Sequence, residues 1–379
     1  MTNINIKDVV KKYRTGQISR RELGRIMGML GIVGVTNSIG GKMASAATEM
    51  SDRAMVFGWA GYDDESLWPS YVAKYGGLPR YTVWGDEEEG VTKLTAGFQP
   101  DVIFPCSYKI KKWYQTGMLE SLDTSRLKNW NDILPSLRTM PGVVQDGNTV
   151  WAPVDWGMTS IAYRTDLAPE YIDNESWSIL WDEKYKKRMA CFDSLVDGVA
   201  IAGIMAGLKN PFDYTSQADL DATRNLMNSM VPNLRFFSND STTMEQGLAS
   251  GELVAATVWN ESIVRLKAQG IPIKYMDPKE GGAMTWVCGL SIIAGSKFKD
   301  QAYELVDAML EPDSRAYEIR EFGYGVSTQS GFDMVDEATL TELGLSKNPD
   351  DILSNSVFQE EIQNEEGLQA MFDEVKAGL

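Results

Sequence analysis

The sequence has no histidine and few cysteines. Among its 379 residues there is no histidine, and the three cysteines are Cys106, Cys191 and Cys288. The missing histidine excludes Ser-His-Asp and Cys-His catalysis, and it excludes every histidine-containing metal site built from this chain alone. The three cysteines are an odd number without CxxC spacing, so the sequence does not indicate a disulfide framework. The count still allows one disulfide bond. Carboxylates, lysines or simple binding are left as the available chemistry.

Phosphate-binding loops and long hydrophobic runs are also missing. The chain contains no GxGxxG or Walker-type loop, and no segment is apolar for long enough to span a bilayer. Basic residues are outnumbered, because 36 Lys and Arg face 53 Asp and Glu for a net charge of −17. Such a surface repels nucleic acid and anionic membranes. We therefore expect no nucleic-acid partner, and the charge favours a cationic ligand.

The first 46 residues have the order of an export signal. A basic region with Arg20 and Arg21 precedes an apolar, glycine-interrupted run over 26–41, and the small residues 44–46 follow. The adjacent arginines resemble a twin-arginine signal, with Leu23 and Gly24 where such signals usually carry phenylalanine and leucine. Cleavage near Ala46-Ala47 would leave 28 of the 36 basic and 51 of the 53 acidic residues, a net charge of −23. An amphipathic helix lying on a membrane is the alternative.

The rest of the chain alternates strand and helix patterns, which predicts an α/β fold. About 330 residues exceed the size of one growing core, so two domains are expected, with the chain crossing between them more than once. Strands are predicted at 55–59, 101–104, 150–153, 189–192, 253–259, 273–276 and 290–294. Helices are predicted to begin at Asp86 and Thr242, and to span 196–208, 220–230, 262–269, 300–310, 314–322 and 359–376.

Aromatic and acidic residues follow several predicted strands. Trp59 and Tyr62 follow the first strand, Tyr108 follows the second, Asp193 follows 189–192 and Trp259 ends 253–259. In open α/β sheets this edge binds ligands. Ring faces and a carboxylate together suit an organic cation. A triplet nearby, Glu87-Glu88-Glu89, is interpreted as a solvated helix start.

Several segments in order resemble the periplasmic spermidine/putrescine-binding proteins of ABC importers. The most specific is Asp277-Pro278-Lys279-Glu280-Gly281-Gly282 followed by Thr285-Trp286, and the similarity runs from about Ala54 to Leu379. Supporting segments are Val56-Phe57-Gly58-Trp59, Asp101-Val102-Ile103-Phe104-Pro105, Phe237-Ser238-Asn239-Asp240, Trp259-Asn260, Gly323-Tyr324 and Lys376-Ala377-Gly378.

The resemblance implies a two-lobed, type II periplasmic binding-protein fold with a ligand cleft between the lobes. Lobe one is expected over 52–156 and 287–332, and lobe two over 157–286 and 333–379. The implied protein is a periplasmic monomer without cofactor or metal, which gives a polyamine-like cation to an ABC permease in the inner membrane. Ligand contacts are implied for Trp59, Tyr62, Tyr108, Asp193 or Asp197, Ser238, Trp259, Trp286, Cys288, Tyr324 and Gln359.

Cys288 departs from the family pattern. The polyamine binders carry an aspartate two residues after the tryptophan, and a neutral thiol cannot replace its charge. Cys106 similarly replaces a serine near Tyr108. A monoamine, an amino-acid-derived cation or a differently placed diamine is therefore an alternative ligand.

Two other classes of function remain. A secreted hydrolase could use Asp193 and Asp197 as paired carboxylates, although an i, i+4 pair lies on one helix face rather than across a bond. A receptor for an anion or a chelated metal would use arginines such as Arg164 and Arg235, which nothing in the sequence groups together. The resemblance implies binding without catalysis.

Overall fold

One large mixed sheet organises the chain. A computed structural model describes residues 52–354 and 356–377, and the chain from Ala54 onward forms one unit. The export signal predicted over 1–46 lies outside the described residues. The strands found in the described part are β1 (Met55–Gly58), β2 (Arg80–Val83), β3 (Val102–Ile103), β4 (Val144–Gln145), β5 (Asn148–Thr149), β6 (Ala152–Arg164), β7 (Met189–Cys191), β8 (Leu234–Phe237), β9 (Ala255–Trp259), β10 (Ile273–Tyr275), β11 (Met284–Ile292), β12 (Gly325–Val326) and β13 (Val357–Phe358).

The main sheet consists of two parallel blocks joined by two long antiparallel strands. Its order is β2-β1-β3-β11-β6-β9-β7-β8, with β10 and β12 also paired to β6 and β13 paired to β11. Strand β1 is parallel to β2 and β3, and β7 is parallel to β8 and β9. Strands β11 and β6 are antiparallel to each other and to the blocks they adjoin. The α/β prediction is confirmed.

The two joining strands are longer than predicted. Strand β6 continues eleven residues past Pro153, where its prediction ended, and β11 begins at Met284 rather than Leu290. Both strands are almost wholly buried, so they lack the alternation of apolar and polar residues that marks a half-exposed strand. Polar residues inside β6 resemble a loop in the sequence, yet they have partners. The Ser160 hydroxyl, for example, donates to the Met276 carbonyl at 2.6 Å.

Helices cover the sheet. The α-helices in the described residues are α1 (Pro69–Tyr75), α2 (Glu87–Thr95), α3 (Ile110–Gln115), α4 (Pro135–Arg138), α5 (Ala200–Met205), α6 (Gln217–Met230), α7 (Ser241–Ser250), α8 (Glu261–Ala268), α9 (Lys299–Met309), α10 (Pro312–Phe322), α11 (Gln329–Asp333), α12 (Glu337–Glu342), α13 (Pro349–Leu353) and α14 (Glu365–Lys376). A π-helix, Leu195–Val199, precedes α5. Within the described ranges, no helix has the length and apolar character needed to cross a membrane.

Of three predicted helix starts, one is confirmed and two are wrong. The Asp86 side chain accepts from the Glu89 amide at 2.7 Å and caps α2, as predicted. The prediction for α7 is wrong by two residues, because Asp240 and not Thr242 supplies the cap. The prediction for α14 began too early, since Asn364 has a left-handed φ of 62° that separates the helix from Gln359.

Buried apolar side chains form separate cores on the two sides of the joining strands. The first core uses residues between 54 and 156 and between 286 and 353. The other two cores use residues between 161 and 284, and one of them also uses 362–375. Tyr108 packs against the first and second cores, and Trp259 packs against the first and third. These two rings therefore lie where the cores meet.

Candidate functional site

The register of the central strands puts several predicted ligand residues on one face of the sheet. On β6, residues 155, 157 and 159 alternate with opposite-facing neighbours, so they share a face. Cys288 and Trp286 of β11 pair with residues 155 and 157, and Trp259 of β9 pairs with residue 159. Directly paired residues point to the same side of a sheet. One face, called the central face below, thus carries Asp155, Gly157, Thr159, Trp259, Trp286 and Cys288.

Trp286 lies over the middle of the central face. A side-chain carbon at Gly157 would collide with the Trp286 ring, so the glycine permits this close approach. The Tyr324 ring meets Trp286 edge-on, with centroids 4.8 Å apart and planes at 89°. The Trp286 indole N–H is buried and has no hydrogen-bond partner among the described residues. Trp286 therefore offers a fixed apolar surface with a free donor.

One aromatic residue of the first core, Tyr62, contacts the central face, and Trp59 packs elsewhere against that core. The Tyr62 ring packs edge-on against Phe104 at 4.5 Å, and its hydroxyl donates to Asp155 Oδ2. Trp59 packs edge-on against Trp84 at 5.6 Å. Burial raises the pKa of the Tyr62 hydroxyl well above its usual value, and the nearby Asp155 charge adds to the shift. Tyr62 is therefore a neutral hydrogen-bond donor at neutral pH.

The two candidate aspartates have different surroundings. Asp197 is buried on the π-helix, where its Oδ1 accepts from Thr159 Oγ1 at 2.6 Å and from Gln359 Nε2 at 2.7 Å. Asp193 has a largely exposed side chain that pairs with Lys376 at 2.7 Å. Asp197 is thus hydrogen-bonded both to Gln359 and, through Thr159, to the central face. The two carboxylates therefore have separate partners, whereas the hydrolase hypothesis requires two carboxylates that face each other across a bond.

Ser238 has a different set of contacts. Its hydroxyl accepts from the Asp240 amide at 3.0 Å, and its own amide donates to the Cys191 carbonyl at 3.0 Å. These bonds fix the turn between β8 and α7 at the carboxyl end of β7. Trp259, at the end of neighbouring β9, stacks on Phe192 with centroids 4.7 Å apart.

The interpretation of Cys288 as a free thiol is wrong. Cys288 forms a disulfide with Cys106, so both departures from the family pattern belong to one covalent link. Backbone bonds hold the two segments on either side of it, with Ser107 N donating to Val287 O at 2.7 Å and Gly289 N donating to Pro105 O at 3.0 Å. Sequence alone could not pair them, because 182 residues separate the two cysteines. Cys191 is buried and free.

Removing this disulfide should destabilise the protein. A link across 182 residues restricts the unfolded chain, so a Cys106→Ser/Cys288→Ser double variant should lose about 2–5 kcal/mol of unfolding free energy. Urea denaturation of the wild type and the variant under oxidising conditions measures the loss. Adding a reductant should bring the wild-type curve onto that of the variant, and coincident curves without reductant would contradict the link.

Glu87 was misinterpreted as part of a solvated helix start. It is only 3% exposed, and it accepts from the Cys106 amide at 3.0 Å and from Trp113 Nε1 at 2.6 Å. Burial raises the pKa of Glu87 to about 7, although these two hydrogen bonds oppose the shift. Glu88 and Glu89 are more exposed, as the interpretation expected. Glu87 thus fixes the segment that carries Cys106 and Tyr108.

Glu87 should make stability depend on pH. The unfolded chain releases this proton near pH 4.5 and the folded chain near pH 7, so the folded state binds more protons between these values. Protonated Glu87 therefore adds to the free energy of unfolding below pH 4.5. This contribution is lost as the pH rises to about 8, a change of about 3 kcal/mol. Denaturation of wild type and Glu87→Gln at both pH values isolates it, because the variant cannot titrate there. A wild-type-minus-variant difference that is constant with pH would contradict the assignment.

Asp155 and Thr159 are site residues that the sequence analysis missed. Asp155 is fully buried, and Thr159 holds Asp197. A signal existed, since Asp155 is the one charged residue in the run from Trp151 to Trp156. Buried charges of this kind need a partner, which makes them candidates for function.

The fold and the central face define a binding protein whose candidate site lies where separate cores meet. Comparison with known families gives a more specific result. Residues 83–339 match the model of the bacterial extracellular solute-binding proteins. The chain belongs to this family, whose members bind solutes.

Individual relatives agree with this assignment. The spermidine/putrescine-binding periplasmic protein of Escherichia coli K12 is 25% identical over 285 residues, which cover 74% of this chain and 79% of that protein. The TpPotD lipoprotein of Treponema pallidum has a similar structure, with a TM-score of 0.73, 20% identity, and coverage of 86% of this chain and 100% of that one. The MotA binding protein of A. tumefaciens B6, solved with glucopine, has a TM-score of 0.69 at 14% identity, covering 86% and 99%. The predicted two-lobed type II fold is confirmed.

Proposed function

We propose that the protein is an extracytoplasmic receptor that closes two lobes around a polyamine-like cation and delivers it to an ABC permease. The central face carries the proposal, because it combines indole surfaces with the buried Asp155 and, through Thr159, with the buried Asp197. Each indole face attracts an ammonium by roughly 0.5–2 kcal/mol, depending on its desolvation. The curated relative from Escherichia coli, named for spermidine and putrescine, supports the same ligand class.

In this proposal Asp197 is the anchor for one ammonium group. Its Oδ1 already accepts two hydrogen bonds, from Thr159 and Gln359, and Ser194 Oγ donates to Oδ2 at 2.9 Å. These donors orient the carboxylate before a ligand arrives, which reduces the entropy lost on binding. Asp193 is excluded from the role because Lys376 neutralises it on the surface. Gln359 then holds the Asp197 carboxylate in place, and Ser238 fixes the turn between β8 and α7.

The remaining predicted contacts form the walls of the proposed cleft. Trp259 and Trp286 border the alkyl chain from lobe two and the joining strands, and Tyr324 supports Trp286. Trp59, Tyr62 and Tyr108 come from lobe one. Tyr108 and Trp259 pack against cores on both sides of the joining strands. Closure of the lobes would therefore change the packing around these two rings.

We propose lobe boundaries close to those predicted. Lobe one comprises 52–156 and 287–353, which extends the predicted 287–332 because Val335, Leu340 and Leu353 pack in the first core. Lobe two comprises 157–286 and 356–377 of the described residues. Chain crossings at the joining strands suit hinge closure, in which only a ligand that touches both lobes stabilises the closed state.

The proposed location is the periplasm, after removal of the signal near Ala46-Ala47. A disulfide persists in oxidising compartments and is rare in the cytosol, so the Cys106–Cys288 link supports export. The site is built within one chain, and we propose that the receptor acts as a monomer. Its net negative charge repels the phosphate backbone, so we propose no nucleic-acid partner.

A thermal-shift screen of the protein from Ala47 onward tests the ligand class. Putrescine, spermidine, cadaverine and agmatine should raise the melting temperature by several degrees at about a hundredfold excess over their dissociation constants. Simple monoamines and anions serve as comparison ligands. A shift with monoamines alone would favour the alternative cation, and a shift with anions alone would contradict the proposal.

Asp197→Asn and Asp193→Asn are a matched pair for the anchor. Replacing a buried, charged hydrogen-bond acceptor should weaken putrescine binding by roughly 10- to 100-fold, whereas the exposed Asp193 variant should bind within about threefold of wild type. Calorimetric titration measures both affinities, and melting curves check that each variant is folded. The reverse order would move the anchor to Asp193.

A further inference from the structure

Asp155 is a buried carboxylate on the central face with incomplete compensation. None of it is exposed to solvent, and the Tyr62 hydroxyl donates to Oδ2. The other oxygen, Oδ1, is buried and receives no hydrogen bond from a donor among the described residues, and the neighbouring Glu318 carboxyl can share a hydrogen bond with Asp155 only through a proton. A buried charge without a full set of partners is costly, so such a group needs a proton or a counter-ion.

The charges around Asp155 leave room for one cation. Among the described residues, Arg315 is the basic group that acts on this cluster, and it pairs with Glu318 Oε2 on α10. Glu318 and Arg315 offset each other, which leaves the Asp155 charge uncompensated. Burial, then the neighbouring Glu318 charge, raises the pKa of Asp155 well above its usual value. Asp155 and Glu318 together carry one negative charge more than Arg315 offsets, so an ammonium group at Asp155 would balance the cluster.

Asp155 and Thr159, the hydrogen-bond partner of Asp197, lie on opposite sides of Trp286 along β6. Trp286 pairs with Gly157, two residues from Asp155 in one direction and two from Thr159 in the other. Four residues of strand span about 13 Å, so Asp155 is well separated from the residue that holds Asp197. A ligand that reaches both carboxylates therefore needs an extended chain that passes Trp286.

We propose that Asp155 is a specificity-determining residue that, together with Asp197, selects linear dications over monocations. One ammonium binds at each carboxylate, and the alkyl chain passes Trp286. Tyr62 keeps its hydrogen bond to Oδ2, which orients the carboxylate toward the ligand. This assignment rests on the proposed function. It gives the site a second carboxylate directly opposite Cys288, which is in a disulfide and carries no charge.

The test compares putrescine with butylamine, which has the same chain and one ammonium group. Calorimetric titrations would use wild type, Asp155→Asn and the matched control Asp307→Asn. Asp307 is also a buried aspartate of the first core, but its carboxylate caps the Asn129 amide at 3.1 Å away from the central face. Wild type and the control should bind putrescine at least about tenfold more tightly than butylamine.

In Asp155→Asn the preference should collapse to about twofold, because putrescine loses on the order of tenfold or more in affinity and butylamine keeps its own. A variant that retains the wild-type preference would overturn the role of Asp155 and leave the receptor intact. A wild type that binds no amine would overturn the proposed function, and the inference with it. If the asparagine variant does not fold, Asp155→Ser is the second variant.

A diamine series on wild type is an independent check. Two fixed carboxylates should give a clear optimum of chain length, with 1,2-diaminoethane at least about tenfold weaker than the best diamine because it is too short to pass Trp286 and reach both. Affinity that does not change with chain length would contradict the two-anchor arrangement.

Discussion

The antiparallel pairing of β6 with β11 is the constraint on which the candidate site depends. It aligns Trp286 with Gly157 and Cys288 with Asp155, so that one face of the sheet receives side chains from distant parts of the sequence. A register shift of one residue would turn all of these side chains to the opposite face. The same two strands join the parallel blocks and separate the hydrophobic cores. The candidate site and the proposed hinge therefore have a common structural origin.

The electrostatics of the site follow from where its carboxylates are buried. Asp197 has three hydrogen-bond donors and a defined orientation. Asp155 and Glu87 have fewer, and burial raises the pKa of both. Glu87 therefore ionises only near pH 7, and the Asp155 carboxyl is also harder to ionise than a solvent-exposed one. A net charge of −17 brings cations to the surface, but the pairing of each carboxylate decides which cations are retained.

Much of this arrangement could be predicted from sequence, and the failures have physical causes. Short strands flanked by turns, such as Met55–Gly58, and capped helices, such as Glu87–Thr95, carry strong local signals. These signals predict the α/β class. The class in turn predicts a ligand site at the carboxyl ends of the strands, where the aromatic residues lie. Strand β6 was cut short because burial on both faces removes periodicity. The Cys106–Cys288 link and the Asp155–Cys288 pairing depend on contacts between residues more than a hundred positions apart, which no local pattern reveals.

The most direct test of this account is a crystal structure of the protein with putrescine. The account predicts one ligand nitrogen within hydrogen-bond distance of Asp197, the other within hydrogen-bond distance of Asp155, and the alkyl chain against Trp286. A putrescine held by Asp197 alone, with Asp155 in contact only with Tyr62 and Glu318, would contradict the two-carboxylate site. A ligand bound away from the central face would contradict the proposed receptor site itself.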